Sequence, residues 1–520
     1  MSSRRRLVAA VSGMAAVTVA SRLSGYLRDK AVAMLIGAGT VSDAFVTGFR
    51  IPNMFRAFLA EGALHAAFIP TLASLRAGGD EARPRLFVRH MTAALLVALP
   101  VVVLVGIVVA PALVHLLAPA FAANPEKFAL TVRLTRLMFP YLAFISLAAL
   151  AQGVLNASHR FLLAAATPIA LNLCIVLGTV AAVWIFGGRG EWLAIGVLAG
   201  GLAQFLMQWP ACGRAGLPLC PQAGFHRSAE VRRVLALMAP GVPALGIYQV
   251  TLLLSTRFAA SVGEGAVTCM YNASRLNELV YGVVIVQLTT AVLPMLAEER
   301  AVDEQKARDT LAFALRLLSV VALPAAAFAA VAAVPVTGAL FGGGRYSEAA
   351  VATTAVALSV YALGLPFLGL TKLLASASYA WQDTRSPVIA AASSLVAFLA
   401  LGVLWTERFG VAGVAGATSL AQGVNAAVLL WLNGRAGRLP RALPVLAPVV
   451  RHVVAAVALG GTAWVLGRWL HAPLVTGVRS LVALAATATA AIAVYVAVLV
   501  ALRAPEWREL RQLVSRRLAR

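Results

Sequence analysis

Long apolar runs, broken by short clusters of proline, glycine and charge, recur along the whole chain. A helix crossing a bilayer needs about 20 mainly apolar residues. The runs at 7–36, 41–74, 86–117, 129–156, 160–186, 192–212, 234–262, 265–296, 311–340, 348–380, 387–405, 410–432, 448–467 and 480–502 each approach or exceed that length. The pattern predicts an all-α integral membrane protein with 14 transmembrane helices.

Composition removes the competing classes. The 520 residues are 61% hydrophobic and only 12% charged, against about 25% charged in ordinary globular proteins. With a mean hydropathy of +0.87, the polar surface is too small for a row of soluble domains. The opening Arg4-Arg5-Arg6 resembles the basic start of a signal peptide, but no small-residue cleavage site follows and charge returns at Arg22, so the first run is expected to be a retained helix. Cys174, Cys212, Cys220 and Cys269 have neither disulfide density nor a C-x-x-C spacing and are expected to be inert thiols.

The net charge of +23 would point to nucleic acid in a soluble protein, but here the basic residues sit in alternate loops, so no nucleic-acid partner is implied. With a cytoplasmic N-terminus, the inside segments hold about 26 Lys and Arg and the outside segments about six. Both termini are therefore expected in the cytoplasm. In the tail 504–520, Trp507, Leu510, Val514 and Leu518 recur at helical spacing among arginines, which predicts a basic amphipathic helix on anionic membrane lipid.

An internal echo organises the spans. Arg50 precedes Pro70-Thr71-Leu72-Ala73 by 20 residues, and Arg275 precedes Pro294-Met295-Leu296-Ala297 by 19. Ala157-Ser158 before Pro168 is echoed by Ala377-Ser378 before Pro387. The offset of about 220 residues spans six helices, an even number. The expected partition is two six-helix lobes related by a parallel pseudo-repeat, 1–226 and 227–440, two C-terminal helices in 441–503, and the tail 504–520. Parallel repeats of this kind place a substrate site at their interface.

Charges inside the apolar runs mark candidate chemistry, because an ionisable group at the bilayer centre costs about 2.5–3.5 kcal/mol on insertion scales. The first span carries Arg22, Arg28, Asp29 and Lys30, the second Asp43, Arg50, Arg56 and Glu61, the eighth Arg275 and Glu278, and the tenth Lys372. Arg22 lies roughly 22 Å along its helix and Arg275 roughly 15 Å along its own, both at membrane depth. A cavity lined by arginines suits an anion, and the guanidinium fork matches phosphate oxygens. The competing reading is intrahelical neutralisation, Asp43 with Arg50 and Arg275 with Glu278. Pro52, Pro240 and Pro243 place kinks in the second and seventh spans, either static or hinge-like. Arg133 and Arg136 sit near an outer helix end and are expected to snorkel. No phosphate loop, H-E-x-x-H or nucleophile constellation is present in the sequence, and His65 has no second ligand at i+4. The expectation is a transporter, not an enzyme, with no cofactor and no metal.

The same residues carry a family resemblance. The run Ser21-Arg22-Leu23-Ser24-Gly25-Tyr26-Leu27-Arg28-Asp29, then Gly37-Ala38-Gly39, Ser42-Asp43-Ala44-Phe45, Arg50-Ile51-Pro52-Asn53-Met54-Phe55-Arg56 and Ala60-Glu61-Gly62-Ala63 to Phe68-Ile69-Pro70, closely resembles the N-terminal signature of the MurJ (MviN) family of bacterial lipid II flippases. Tyr271-Asn272-Ala273-Ser274-Arg275-Leu276 and the segment from Tyr379-Ala380 through Asp383-Thr384 to Pro387 extend the likeness to about residue 440. It implies a member of the multidrug/oligosaccharidyl-lipid/polysaccharide exporter superfamily in the bacterial inner membrane. Its expected cargo is lipid II, the undecaprenyl-pyrophosphate-linked disaccharide-pentapeptide used in peptidoglycan and cell wall biogenesis, moved to the periplasmic leaflet by alternating access. It further implies substrate-binding roles for Arg22, Arg28, Asp43, Arg56 and Arg275, with Glu61 beside them. Asp29, Glu278 and Lys372 complete the supporting set from the burial argument. Where some members hold a sodium-ligating acid in the seventh span, this chain has Ser255, so sodium coupling is not carried over. The runner-up is a flippase for another polyprenyl-pyrophosphate-linked oligosaccharide of the O-antigen type. A cation/drug antiporter would need an acidic cavity, and a lipid-modifying enzyme would need a nucleophile or metal site. No protein partner in the cell-wall machinery is assigned.

Overall fold

The computed structural model describes residues 3–56, 63–238, 241–441, 443–470 and 478–503, with the side chains of all of these except 3–16, 63, 66, 241–245, 280, 283–284, 443–444, 470 and 478. Glu61 and the predicted amphipathic tail 504–520 lie outside the described residues. The described chain is helix and turn, with a single isolated bridge between Gly343 and Tyr346.

The helices are α1 Ser3–Ile36, α2 Thr40–Arg56, α3 Ala63–Ala77, α4 Ala82–Leu117, α5 Pro125–Met138, α6 Tyr141–Ala157, α7 Phe161–Trp184, α8 Glu191–Arg214, α9 Ala229–Met238 and α10 Gly241–Val262. They continue as α11 Ala266–Val280, α12 Val286–Val302, α13 Glu304–Val331, α14 Ala333–Phe341, α15 Glu348–Ala380, α16 Arg385–Arg435, α17 Leu443–Leu470 and α18 Val478–Ala501. Every predicted apolar run is thus built on helix. Their interruptions have local causes. The fourth run breaks between α5 and α6 at Phe139-Pro140, where proline has no N–H to continue the ladder. The eighth run contains a π-helical turn at Tyr281–Ile285 between α11 and α12. The 51 residues of α16 would extend about 77 Å as one rod, far beyond one bilayer. Gly410, at φ 55° and ψ −131°, divides it into the eleventh and twelfth runs, in a conformation that glycine tolerates.

By length and apolarity alone, nine helical segments among the described residues are able to cross a membrane. That set counts α5–α6 once and α16 once. It omits α1, with Arg22, Arg28, Asp29 and Lys30, and α2, with Asp43, Arg50 and Arg56. The protein is therefore an all-α, multi-pass membrane protein, and the count of fourteen crossings rests on the sequence. The tryptophans agree with this reading: Trp184 and Trp192 flank one inter-helix turn and Trp464 and Trp469 close α17, the interfacial placement that an amphipathic indole prefers.

Contacts divide the chain into two units, Met1–Val267 and Thr268–Arg520. In the first, Leu64, Phe68, Phe87, Leu150, Val154 and Cys212 form a core that joins α3, α4, α6 and α8, with Phe68 stacked on Phe87 at 5.2 Å. Close approach of α7 and α8 depends on glycine, since a Cβ at Gly178 would lie 2.4 Å from the Trp192 carbonyl oxygen. In the second unit, Leu296, Leu311, Leu318, Leu365 and Leu373 form the core of α12, α13 and α15. Helices α17 and α18 join this unit through Leu459, Ala463 and Tyr495. Tyr495 donates to the Val320 carbonyl at 2.8 Å, and Ser319 Oγ meets His452 Nδ1 at 2.7 Å.

Each unit also contains one version of the same joint. In the first, Arg76 donates to the carbonyl of Ala157, the last residue of α6, at 2.7 Å. In the second, Arg300 donates to the carbonyl of Ala380, the last residue of α15, at 3.0 Å. Both satisfy carbonyls that a helix end leaves open. The next turn holds His159 at φ 56° and Gln382 at φ 59°, non-glycine residues in the same left-handed conformation. One residue later the chemistry diverges: Arg160 donates to the Arg214 carbonyl at the end of α8, whereas Asp383 accepts from Arg438 beyond the end of α16. The sequence echo of Ala157-Ser158 in Ala377-Ser378 is thus accompanied by a likeness in bonding. The contact division falls after Val267 and not at the expected boundary of residue 226, with α9 packed on α3 and α10 on α4 inside the first unit.

Candidate functional site

The charges of α1 are organised by α7. A Cβ at Gly25 would meet Asn172 Nδ2 at 3.5 Å, so the two helices approach closely at this glycine. Asn172 donates to Ser24 Oγ at 2.9 Å and accepts from Arg28 at 3.0 Å. The other side of the Arg28 guanidinium holds Asp29 at 2.6 Å. Arg28 is therefore fixed as a fork between an amide and a carboxylate, and Asp29 is buried. Arg22 and Lys30 are half-buried on the same helix.

A second cluster joins the start of α2 to α5 and to the α10–α11 connection. Asp43 has 0% exposure. Its Oδ2 accepts from Lys127 Nζ at 2.8 Å and from the Gly265 backbone N–H at 2.8 Å. Lys127 is itself buried and lies 4.2 Å from the centre of the Phe121 ring. Beside it, Glu264 accepts from the Thr40 hydroxyl at 2.6 Å and from the Thr40 N–H at 2.9 Å. Those two bonds, with Lys127 nearby, hold the Glu264 carboxyl below its ordinary range against the opposing effect of desolvation. Asp43 is thus fully buried, with its carboxylate bonded within the fold. Arg50, expected to pair with Asp43, donates instead to the Leu252 carbonyl at 3.1 Å and to the Thr256 hydroxyl of α10.

In the second unit, Arg275 and Glu278 form the intrahelical pair anticipated from their spacing, 2.8 Å apart, with the guanidinium 4.9 Å from the Tyr271 ring centre. Both remain accessible, at 35% and 44% of their side-chain surface. Lys372 is exposed on α15 and Arg56 is half-buried at the end of α2. Within the first unit the fold brings Arg28 and Asp29 together, and it sets Asp43 into a separate cluster.

Other residues noted in the sequence are satisfied locally. His65 Nε2 meets the Ala149 carbonyl at 2.9 Å, and Arg133 pairs with Glu191 at 2.8 Å. Ser255 is buried on α10, and the described residues contain no cluster of three or more His, Cys, Asp or Glu that could hold a metal ion. Asp383, in the family-like segment 379–387, is a structural cap. Burial works to raise its carboxyl, but bonds from the Ser386 hydroxyl and N–H, from Arg438 and from the Arg385 N–H outweigh it and hold the group far below the ordinary carboxylate range. A depressed folded-state pKa contributes stability that is fully present above the unfolded value, about 3.9, and is lost as pH falls toward the folded value. Asp383→Asn is therefore expected to cost about 1.5–3 kcal/mol, visible as a lower melting temperature in detergent by the same amount at every pH from 5 to 8. A difference that grows or vanishes within that window would contradict the assignment.

Three residues of these clusters escape a search for mid-span charges: Lys127, Glu264 and Asn172. Lys127 falls just before the fourth apolar run, in Asn124-Pro125-Glu126-Lys127, where the Asn124 side chain accepts from the Lys127 N–H at 3.1 Å. That N-cap signal places Lys127 inside the first turn of a helix and was legible. Nothing local in the sequence marks Asn172 or Glu264.

A family model described as lipid II flippase MurJ matches residues 32–486. The chain is 34% identical over 478 residues to a probable lipid II flippase MurJ of Rhizobium meliloti (strain 1021), covering 90% of this chain and 88% of the relative. It is 34% identical over 439 residues to the lipid II flippase MurJ of Burkholderia cenocepacia, covering 83% of each. Among solved structures, a lipid II flippase MurJ in an inward closed conformation aligns with a TM-score of 0.78 at 20% identity, over 96% of this chain and 99% of the other. An inward-facing multidrug resistance MATE family transporter of the MOP superfamily aligns at 0.64 and 16% identity, over 81% and 98%. At these identities the two structures speak for the fold.

Proposed function

The chain belongs to the lipid II flippase MurJ family, and from that premise we propose that it carries lipid II from the cytoplasmic to the periplasmic leaflet of the bacterial inner membrane. The observation that carries this reading is the match to the family over residues 32–486, which takes in the charged blocks of α2 and α11. In the proposed mechanism Arg22, Arg28, Arg56 and Arg275 supply cationic groups for the pyrophosphate, and the polyprenyl chain stays in lipid. A guanidinium held as Arg28 is, between Asn172 and Asp29, has lost most of its rotamer freedom beforehand, which lowers the entropic cost of meeting an anion. Transport proceeds by alternating access. The bond set Thr40–Glu264 and Asp43–Gly265 supports this step, because it ties the α1–α2 turn to the α10–α11 turn, where Gly263 and Gly265 have positive φ. Both termini lie in the cytoplasm, a topology supported by the alternation of basic loops.

The fold likeness to MATE transporters raises a cation/drug antiporter as the second reading, but the excess of arginine over acid in α1 and α2 opposes it. The test is complementation. Expression in a strain depleted of its only lipid II flippase should restore growth and the periplasmic pool of lipid-linked precursor. Normal membrane insertion without either recovery would overturn the proposal, and recovery of O-antigen export alone would move the substrate to another polyprenyl-pyrophosphate sugar.

A further inference from the structure

The second unit contains a cavity of 220 Å³ between the adjoining ends of α13 and α14 and the helices α17 and α18. Its walls are mainly apolar, including Val331, Val334, Pro335 and Ala463, and its mouth carries Trp464 and Arg468. The Arg468 guanidinium lies 5.1 Å from the Trp464 ring centre. Val331, Val334 and Trp464 are exposed, so the cavity opens on an apolar flank of the helices. Arg468 stands 25 residues beyond Leu443, the start of α17, roughly 38 Å along the helix. That exceeds the hydrocarbon thickness of about 30 Å and puts the guanidinium at headgroup level.

The helices that line the cavity carry no carboxylate near it. The sequence has no acidic residue between Arg408 and Pro505 and none between Thr310 and Ser347, which covers α14, α17, α18, the connection 471–477 and all of α13 beyond its first turns. Among the described residues Arg468 forms no ion pair, and its recorded partner is the Trp464 ring. The cavity also borders Ser480 in the first turn of α18, where backbone N–H groups and the helix dipole favour an anion.

We infer that this cavity binds one anionic phospholipid of the surrounding bilayer, of the phosphatidylglycerol class. The phosphodiester meets the Arg468 fork, the indole packs at the glycerol level, and an acyl chain lies along Val331 and Val334. A zwitterionic lipid would bring an ammonium toward the same guanidinium, so the site discriminates by charge.

The test uses the full-length protein in phosphatidylcholine nanodiscs that carry a minor fraction of phosphatidylglycerol, with native mass spectrometry of the lipid retained on release. One phosphatidylglycerol should be retained with about tenfold preference, the effect of one charge-assisted contact. Arg468→Ala should bring the preference to parity and Arg468→Lys should reduce it partly. Val334→Trp, which fills the cavity from its wall and leaves the charge in place, should lower retention while the protein melts as wild type. Arg503→Ala, an exposed arginine after α18, should change nothing. Equal retention of the two lipids by the wild type overturns the inference, as does retention by both Arg468→Ala and Val334→Trp. So does a loss in Arg503→Ala equal to that in Arg468→Ala, which would mean diffuse attraction. Displacement of phosphatidylglycerol by equimolar undecaprenyl phosphate would assign the cavity to prenyl lipid and also overturn it.

Discussion

Lys127→Ala is expected to destabilise the protein by about 3–5 kcal/mol, the usual cost of removing one partner of a buried ion pair. The ammonium sits 2.8 Å from a carboxylate that has no exposure, and is itself only 8% exposed. Little solvent is available to replace it. The same carboxylate also anchors the Gly265 N–H, so the loss should spread from α5 to the α10–α11 turn. Asp43→Asn, which keeps shape and an acceptor, should cost less than Asp43→Ala. The double variant Lys127→Met with Asp43→Leu should recover part of the loss, because an apolar pair of similar volume removes both desolvation penalties. Apparent melting temperatures in detergent at one scan rate, together with the amount of folded protein in the membrane, provide the check. Single variants that melt with the wild type would mean that the pair is not a structural element, and Asp43 would return to the list of groups able to meet a substrate.

The contrast between Asp43 and Arg28 explains what was legible in the sequence and what was not. Apolar periodicity fixes which residues are helical, because a backbone in hydrocarbon has to satisfy its own hydrogen bonds, and among the described residues each predicted run is built on helix. Breaks inside runs were partly legible. Pro140 divides α5 from α6 as proline should, but the φ 55° of Gly410 is one use of glycine among many in a chain that has 42 of them. For the charges, insertion cost indicates that a group needs a partner and does not indicate which one. Arg50 and Asp43 are seven apart, two turns on one face, and that favours pairing by sequence distance. The fold instead supplies Lys127, 84 residues from Asp43, and Thr256, 206 residues from Arg50. Where the partner was three residues away, as for Arg275 and Glu278, sequence and structure agree. Local pairs are legible and long-range ones are not.

That difference sets up the opposite expectation for Arg275. Its pair with Glu278 is half-exposed, and exposed pairs contribute only about 0.2–1 kcal/mol. Arg275→Ala should therefore fold, insert and melt close to the wild type, unlike Lys127→Ala. If the arginine serves the pyrophosphate as proposed, its loss removes a charge-assisted contact worth about 2–5 kcal/mol, a drop in affinity of tens-fold or more at 1.4 kcal/mol per decade. Growth in the flippase-depleted strain should then fail at wild-type protein levels. Arg275→Lys separates the two ways an arginine acts. It keeps the charge near Glu278 and loses the planar fork, so a bidentate role predicts severe impairment while a role in electrostatic balance predicts near-normal growth. Glu278→Gln frees the guanidinium from its helix neighbour and should weaken transport less than either arginine variant. Normal growth of Arg275→Ala would remove this residue from the anion-binding set and leave the proposal to Arg22, Arg28 and Arg56 of the first unit.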